Sequence, residues 1–223
     1  MIKFTWLGQA GALLDCGGVK ILVDPYFSDS AASVACHRKM PVDPSVWDIK
    51  PDLLLITHEH IDHYDPETVP HFVNENTSLT VLSPFSVRSK LLSYKGKHNF
   101  VQVIPGVVWT SGDIVITAVP AVHSDPYAVG FVVEYQGEKI YLTGDTLFCP
   151  PLLKQIPEKI DYIVLPVNGK GNNMNALDAA KMCDLLGVKC AIPVHYGMLD
   201  DLDASIFSWK NVIEPKIYKE IEL

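Results

Sequence analysis

Apolar and polar positions alternate in short runs from the start of the chain. "IKFTWL" (2–7), "GALLDC" (11–16) and "VKILVDP" (19–25) each read as a strand, and Gly17-Gly18 between the last two is a hairpin turn. The opening therefore predicts an antiparallel meander. The segment 28–51, broken by Pro41, Pro44 and Pro51, predicts a long irregular loop of the kind that often carries function. "DLLLIT" (52–57) is continuously apolar, which predicts a central strand. A helix is expected over 65–76, with Asp65 as N-cap, Pro66 at its first position and Glu67 in its first turn.

Beyond it, 79–83 reads as a strand and 84–94 as a helix. Strands follow over 99–104, 107–110, 113–120, 127–135 and 139–145, with Gln136-Gly137 turning the last pair. "DYIVLPV" (161–167) is an apolar strand, and 175–187 an amphipathic helix stopped by Gly187. After a strand over 188–195, the segment 202–213 is expected to be helical and 215–223 to close a sheet edge. No repeat or Pro/Gly-rich linker interrupts this order. The pattern predicts one domain over 1–223, of two sheets packed face to face with helices outside.

Composition narrows the function. A formal net charge of −8 argues against nucleic acid and against anionic membranes as partners. No apolar run approaches the ~20 residues of a spanning helix, and the N-terminus has no signal-peptide pattern. The five cysteines are odd in number and never spaced C-x-x-C. Reduced thiols and a cytoplasmic location are expected.

The strongest chemical signal is "THEHIDHYD" (57–65), an H-x-H-x-D-H cluster where the apolar strand ends. His58 and His60, two apart, project to one side and can bind one divalent ion; Asp62 and His63, past a turn, can reach a second. Imidazole with carboxylate suits zinc, manganese or iron(II). The plain alternative is a solvated turn with chance histidines. Against it, further ligand types recur at strand ends: His123 after 113–120, Asp145 in "LTGDT" and His195 in "AIPVHYG". His71 and His98 read as ordinary surface or packed histidines.

These residues resemble the metallo-β-lactamase fold superfamily. The resemblance implies an α+β fold, a four-layer αββα sandwich of two mixed β-sheets with helices on the outside and a two-metal site at one edge. It implies that His58, His60 and His123 hold a first metal, that Asp62, His63 and His195 hold a second, and that Asp145 bridges both. "FTWLGQAG", "ILVDPYFSDS", "LPVNGKGNNMNALDAA" and "AIPVHYGM" further resemble the L-ascorbate-6-phosphate lactonase-like group, a branch associated with manganese and with lactones of phosphorylated sugar acids.

The expected chemistry is a metal-dependent hydrolase using two divalent ions (zinc or manganese, iron possible) against a small, anionic ester or lactone. Phosphodiesterase or nuclease chemistry, or a non-catalytic metal-binding protein, are the alternatives on the same fold. Asp62 is expected to ligate a metal and orient the attacking water, and Tyr196 to donate to a developing oxyanion. Asn168, Lys170, Asn172 and Asn173, before a helix N-terminus, form a candidate anion site. Arg38, His37 and Lys39 in the long loop are candidates to close over the substrate. Asp24, Thr57 and Glu59 are candidates to fix the ligand tautomers. Ile206, Phe207 and Trp209 could serve either the core or a homo-oligomer interface.

Overall fold

The computed structural model describes all residues 1–223. Its strands are β1 (Ile2–Gly8), β2 (Gly11–Cys16), β3 (Val19–Val23), β4 (Leu53–Leu55), β5 (Thr80–Ser83), β6 (Asn99–Gln102), β7 (Val108–Ser111), β8 (Ile114–Pro120), β9 (Val129–Tyr135), β10 (Glu138–Leu142), β11 (Tyr162–Pro166), β12 (Cys190–Val194) and β13 (Glu220–Glu222). The α-helices are α1 (Val69–Phe72), α2 (Phe85–Leu91), α3 (Pro150–Leu153) and α4 (Ala176–Leu186).

Two mixed sheets result. The first runs β13-β1-β2-β3-β4-β5-β6 and the second β12-β11-β10-β9-β8-β7. In the first, β1–β3 form the expected antiparallel meander, and β3 through β6 pair in parallel. In the second, β7–β10 are antiparallel and β10–β12 parallel. Strands buried on both faces read as unbroken apolar runs, which is why Leu53–Leu55 and Ile163–Leu165 carry no alternation.

The facing sides of the sheets share one core, with Phe4, Leu14, Ile21, Phe131 and Ile140 fully buried. The outer face of the first sheet buries Leu22, Leu54 and Val81 under α1 and α2 through Val69, Phe72, Val87 and Leu91. On the other side, α4 lays Ala179, Met182 and Cys183 into the core. This is the αββα layering. No helix is long and apolar enough to cross a membrane. None of the cysteines is paired.

Two expectations are corrected. The helix over 65–76 shrinks to the single turn of α1: Asp65 does cap the chain, accepting from Glu67 N at 3.0 Å, but Pro70 inside the turn has no N–H to continue the ladder. The segment 202–213 forms only a 3₁₀ turn at Ala204–Ile206. Its chain runs beside β12 instead, where Ala191 N donates to Asn211 O and Ile213 N to Ala191 O, both at 2.9 Å. Phe207 is buried in the core. The short helix α3 has no counterpart in the sequence reading.

Strand β13 pairs with β1, with Phe4 opposite Ile221 and Lys3 bound to Glu220 at 2.9 Å. The C-terminal segment closes that edge as expected.

Candidate metal centre

Each ligand candidate leaves the end of an apolar strand. The 57–65 loop leaves β4 in the first sheet, while His123, Asp145 and His195 leave β8, β10 and β12 in the second. Backbone bonds stitch these ends together: Val129 N donates to Thr57 O and His195 N to Gln9 O, each at 3.0 Å. Seven side chains from both sheets therefore meet at one rim.

They form two groups of mutually close ligand atoms, His58, His60, His123 and Asp145 in one and Asp62, His63 and His195 in the other. His60 Nδ1 lies 3.0 Å from His123 Nε2. Asp145 Oδ1 lies 3.2 Å from both His63 Nε2 and His195 Nε2, so that carboxylate spans the groups. His58 Nε2, His63 Nε2 and Asp145 Oδ1 are buried and have no hydrogen-bond partner. Three orphaned polar atoms of metal-ligating type, converging in one place, fit a cation.

The outer atoms of the ligands are held. Asp24 Oδ2 accepts from His63 Nδ1 at 2.8 Å and from the Thr57 hydroxyl at 2.6 Å. Thr57 Oγ1 in turn lies 3.0 Å from His58 Nδ1. One carboxylate thus orients a ligand of each group. Asn173 Nδ2 donates to Asp145 Oδ2 at 2.8 Å, Asn168 Nδ2 lies 3.0 Å from His195 Nδ1, and the Asn172 carbonyl is 3.3 Å from His123 Nδ1. Ser124 Oγ lies 3.2 Å from His60 Nε2.

The electrostatics call for positive charge. Burial works against a charged His195, yet the Asp145 and Asp62 carboxylates push it up to about 10. Burial likewise opposes charge on His63, and Asp145, Asp62 and Asp24 raise it well above the ordinary imidazole range. Both carboxyls, which burial alone would raise, are held below the usual carboxylate range, Asp62 by His63 and His195 and Asp145 by His195 and His63. His58, by contrast, is kept neutral by burial and by the neighbouring His63. Carboxylates that retain protons on two imidazoles are equally suited to retain divalent ions there.

Beside the groups lies a cavity of about 450 Å³, whose walls include Gln9, His60, Asp62, Lys170, Asn172 and Asn173. Twelve of its 14 lining residues carry no hydrophobic side chain, so a ligand there meets many hydrogen-bonding groups.

Not every expected residue arrives. Tyr196 packs against Trp6, ring centroids 5.1 Å apart, and lines a different cleft with Lys39 and Asp203. The Arg38 guanidinium is consumed by Tyr26 O and Met40 O at 2.8 Å and by the Tyr218 hydroxyl at 3.1 Å. His37 points to Asp29, and Lys39 pairs with Asp201. Glu59 turns outward to Lys90 at 2.8 Å. The α4 N-terminus is not free, since Asn175 caps it by accepting from Asp178 N at 3.0 Å. His71 and His98 bind the backbone carbonyls of Trp47 and Asn74, as ordinary histidines do.

Gln9 was not foreseen. Its amide sits between Asp62 and His195, although its sequence context, Gln9-Ala10 between two glycines at a hairpin tip, marks only a turn.

The chain is similar to known proteins over most of its length. Residues 19–196 match the sequence model of the beta-lactamase superfamily domain. A UPF0173 metal-dependent hydrolase of Methanoregula boonei is 31% identical, covering 96% of this chain and 90% of its own. An N-acyl-phosphatidylethanolamine-hydrolyzing phospholipase D 1 of Caenorhabditis elegans is 26% identical over 86% of this chain and 63% of its own. The structure of Igni18, a metallo hydrolase from Ignicoccus hospitalis, superposes with a TM-score of 0.74 at 22% identity, covering 100% of this chain and 99% of that one. With its ligand types gathered from both sheets at one rim, the chain belongs to the metallo-β-lactamase superfamily, among the UPF0173 metal-dependent hydrolases.

Proposed function

We propose that the chain hydrolyses a small polar ester or lactone with two divalent ions, manganese or zinc before iron. The observation that carries this is the pair of ligand groups joined by Asp145 at the wall of a polar cavity. Bound there, two divalent ions supply a water of lowered pKa and a Lewis acid for the scissile carbonyl. Asp62, which belongs to one ligand group and also lines the cavity, orients the attacking water. Asp145 keeps the two groups in register, held by Asn173 on its other oxygen. Lys170 is the only lysine or arginine in the cavity wall and is placed to pair with an anionic group such as the phosphate of a sugar-acid lactone.

Metal analysis of protein purified without chelator should find close to two ions per chain, and a panel of lactones, carboxylic esters, thioesters and phosphodiesters should show turnover of the first two. Asp62→Asn should abolish that turnover. Turnover confined to phosphodiesters, or full activity of Asp62→Asn, would overturn the reading.

A further inference from the structure

The tip of the β1–β2 hairpin reaches into the metal centre. Gln9 has φ 50° and follows Gly8 at φ 98°, both in the left-handed region. A Cβ on Gly8 would lie 2.1 Å from Met198 Cε, so the tip is pressed under the loop that follows His195. There Gln9 is 3% exposed. Its carbonyl accepts twice, from Trp6 Nε1 at 2.9 Å and from His195 N at 3.0 Å. His195 itself has φ 64°, a conformation that costs a non-glycine residue free energy and persists only where its surroundings impose it.

The side chain extends the same connection. Gln9 Nε2 donates to Asp62 Oδ2 at 2.8 Å and lies 3.0 Å from His195 Nε2, the nitrogen that faces Asp145. Burying an amide is unfavourable without partners, and the side-chain partners here are two members of one ligand group. The third member, His63, is fixed separately by Asp24.

We propose that Gln9 is the positioning residue of the Asp62–His63–His195 metal position: its amide orients Asp62 and its carbonyl fixes His195, so this position alone depends on the hairpin tip. His58, His60 and His123 make no hydrogen bond with Gln9 and take their support from Thr57, Ser124 and the Asn172 carbonyl. The inference rests on the two-ion reading.

The test is calorimetric titration of metal-free protein with Mn(II), alongside Co(II) absorption spectra, for the natural protein, Gln9→Met and Gln9→Ala. Methionine keeps the volume and removes the donor. One binding step should remain unchanged and the other weaken about 10–100-fold, the usual effect of losing a partner of a metal ligand. The Co(II) bands of that step alone should shift. Equal weakening of both steps, an unchanged second step, or loss of fold in both variants would overturn the proposal. A natural protein that takes up fewer than two ions would instead remove the two-ion reading beneath it.

Discussion

Asp24 accepts the Nδ1–H of His63 at 2.8 Å through the same carboxylate oxygen that takes the Thr57 hydroxyl at 2.6 Å. Because Thr57 Oγ1 also contacts His58 Nδ1 at 3.0 Å, one fully buried carboxylate reaches both ligand groups. Asp24→Asn keeps the size but, since both oxygens accept, places an amide N–H against a donor whichever way it turns. It should weaken both metal steps, about 10–100-fold each. Competition with a chromophoric chelator measures this, and loss at only one step would show that the Thr57 link is idle.

Gly144 shows how tightly this network is packed. At φ 59°, a Cβ there would lie 2.8 Å from Thr57 Cβ and 2.9 Å from its Oγ1. Gly144→Ala should cost about 1–3 kcal/mol from overpacking, with roughly 1–2 kcal/mol more for the left-handed backbone. Urea unfolding of the metal-free protein reads the loss directly. A variant as stable as the natural protein would mean that Thr57 is free to shift.

The pH dependence follows from His195, raised to about 10, and from His63, also raised. In metal-free protein their charged forms stabilise the fold. That contribution is complete below the ordinary imidazole value of roughly 6.5 and is lost as pH rises through about 10 for His195. Metal must displace these protons, so its affinity should rise with pH across the neutral range. Titrations at pH 7 in buffers of different ionisation enthalpy should show proton release; identical heats in all buffers would contradict it. Chelator should also lower Tm, most strongly at alkaline pH, where neither protons nor ions balance the carboxylates.

Burial pushes the Cys16 and Cys183 thiols up to about 12, while Cys36 is exposed. A thiol reagent at neutral pH should modify Cys36 in the folded protein and reach Cys16 and Cys183 only on unfolding. Peptide mapping by mass spectrometry distinguishes the order, and early labelling of Cys183 would place α4 away from the core.

The legible part of this protein is the part written locally. Each ligand candidate ends an apolar strand, so the hydrophobic pattern that gives the sheets also says where His58, His123, Asp145 and His195 emerge. Asp24 at the end of β3 is readable for the same reason. What escaped is set by distant contacts. Gln9 looks like a turn residue until β12 is brought beside it. Arg38 looks available until Tyr26, Met40 and Tyr218 surround it. The segment 202–213 has helical spacing, but hydrogen bonds to Ala191 are worth more to it than a helix of its own.

Strand β13 contributes only three residues, yet it shields the far side of β1, the strand that carries Phe4 and Trp6 into the core and leads to Gln9. Removing the last few residues would uncover the edge of β1 at Lys3, Phe4 and Thr5, the residues it pairs with β13. Such an edge is a template for another chain. Truncation of this tail is therefore expected to favour sheet-to-sheet association.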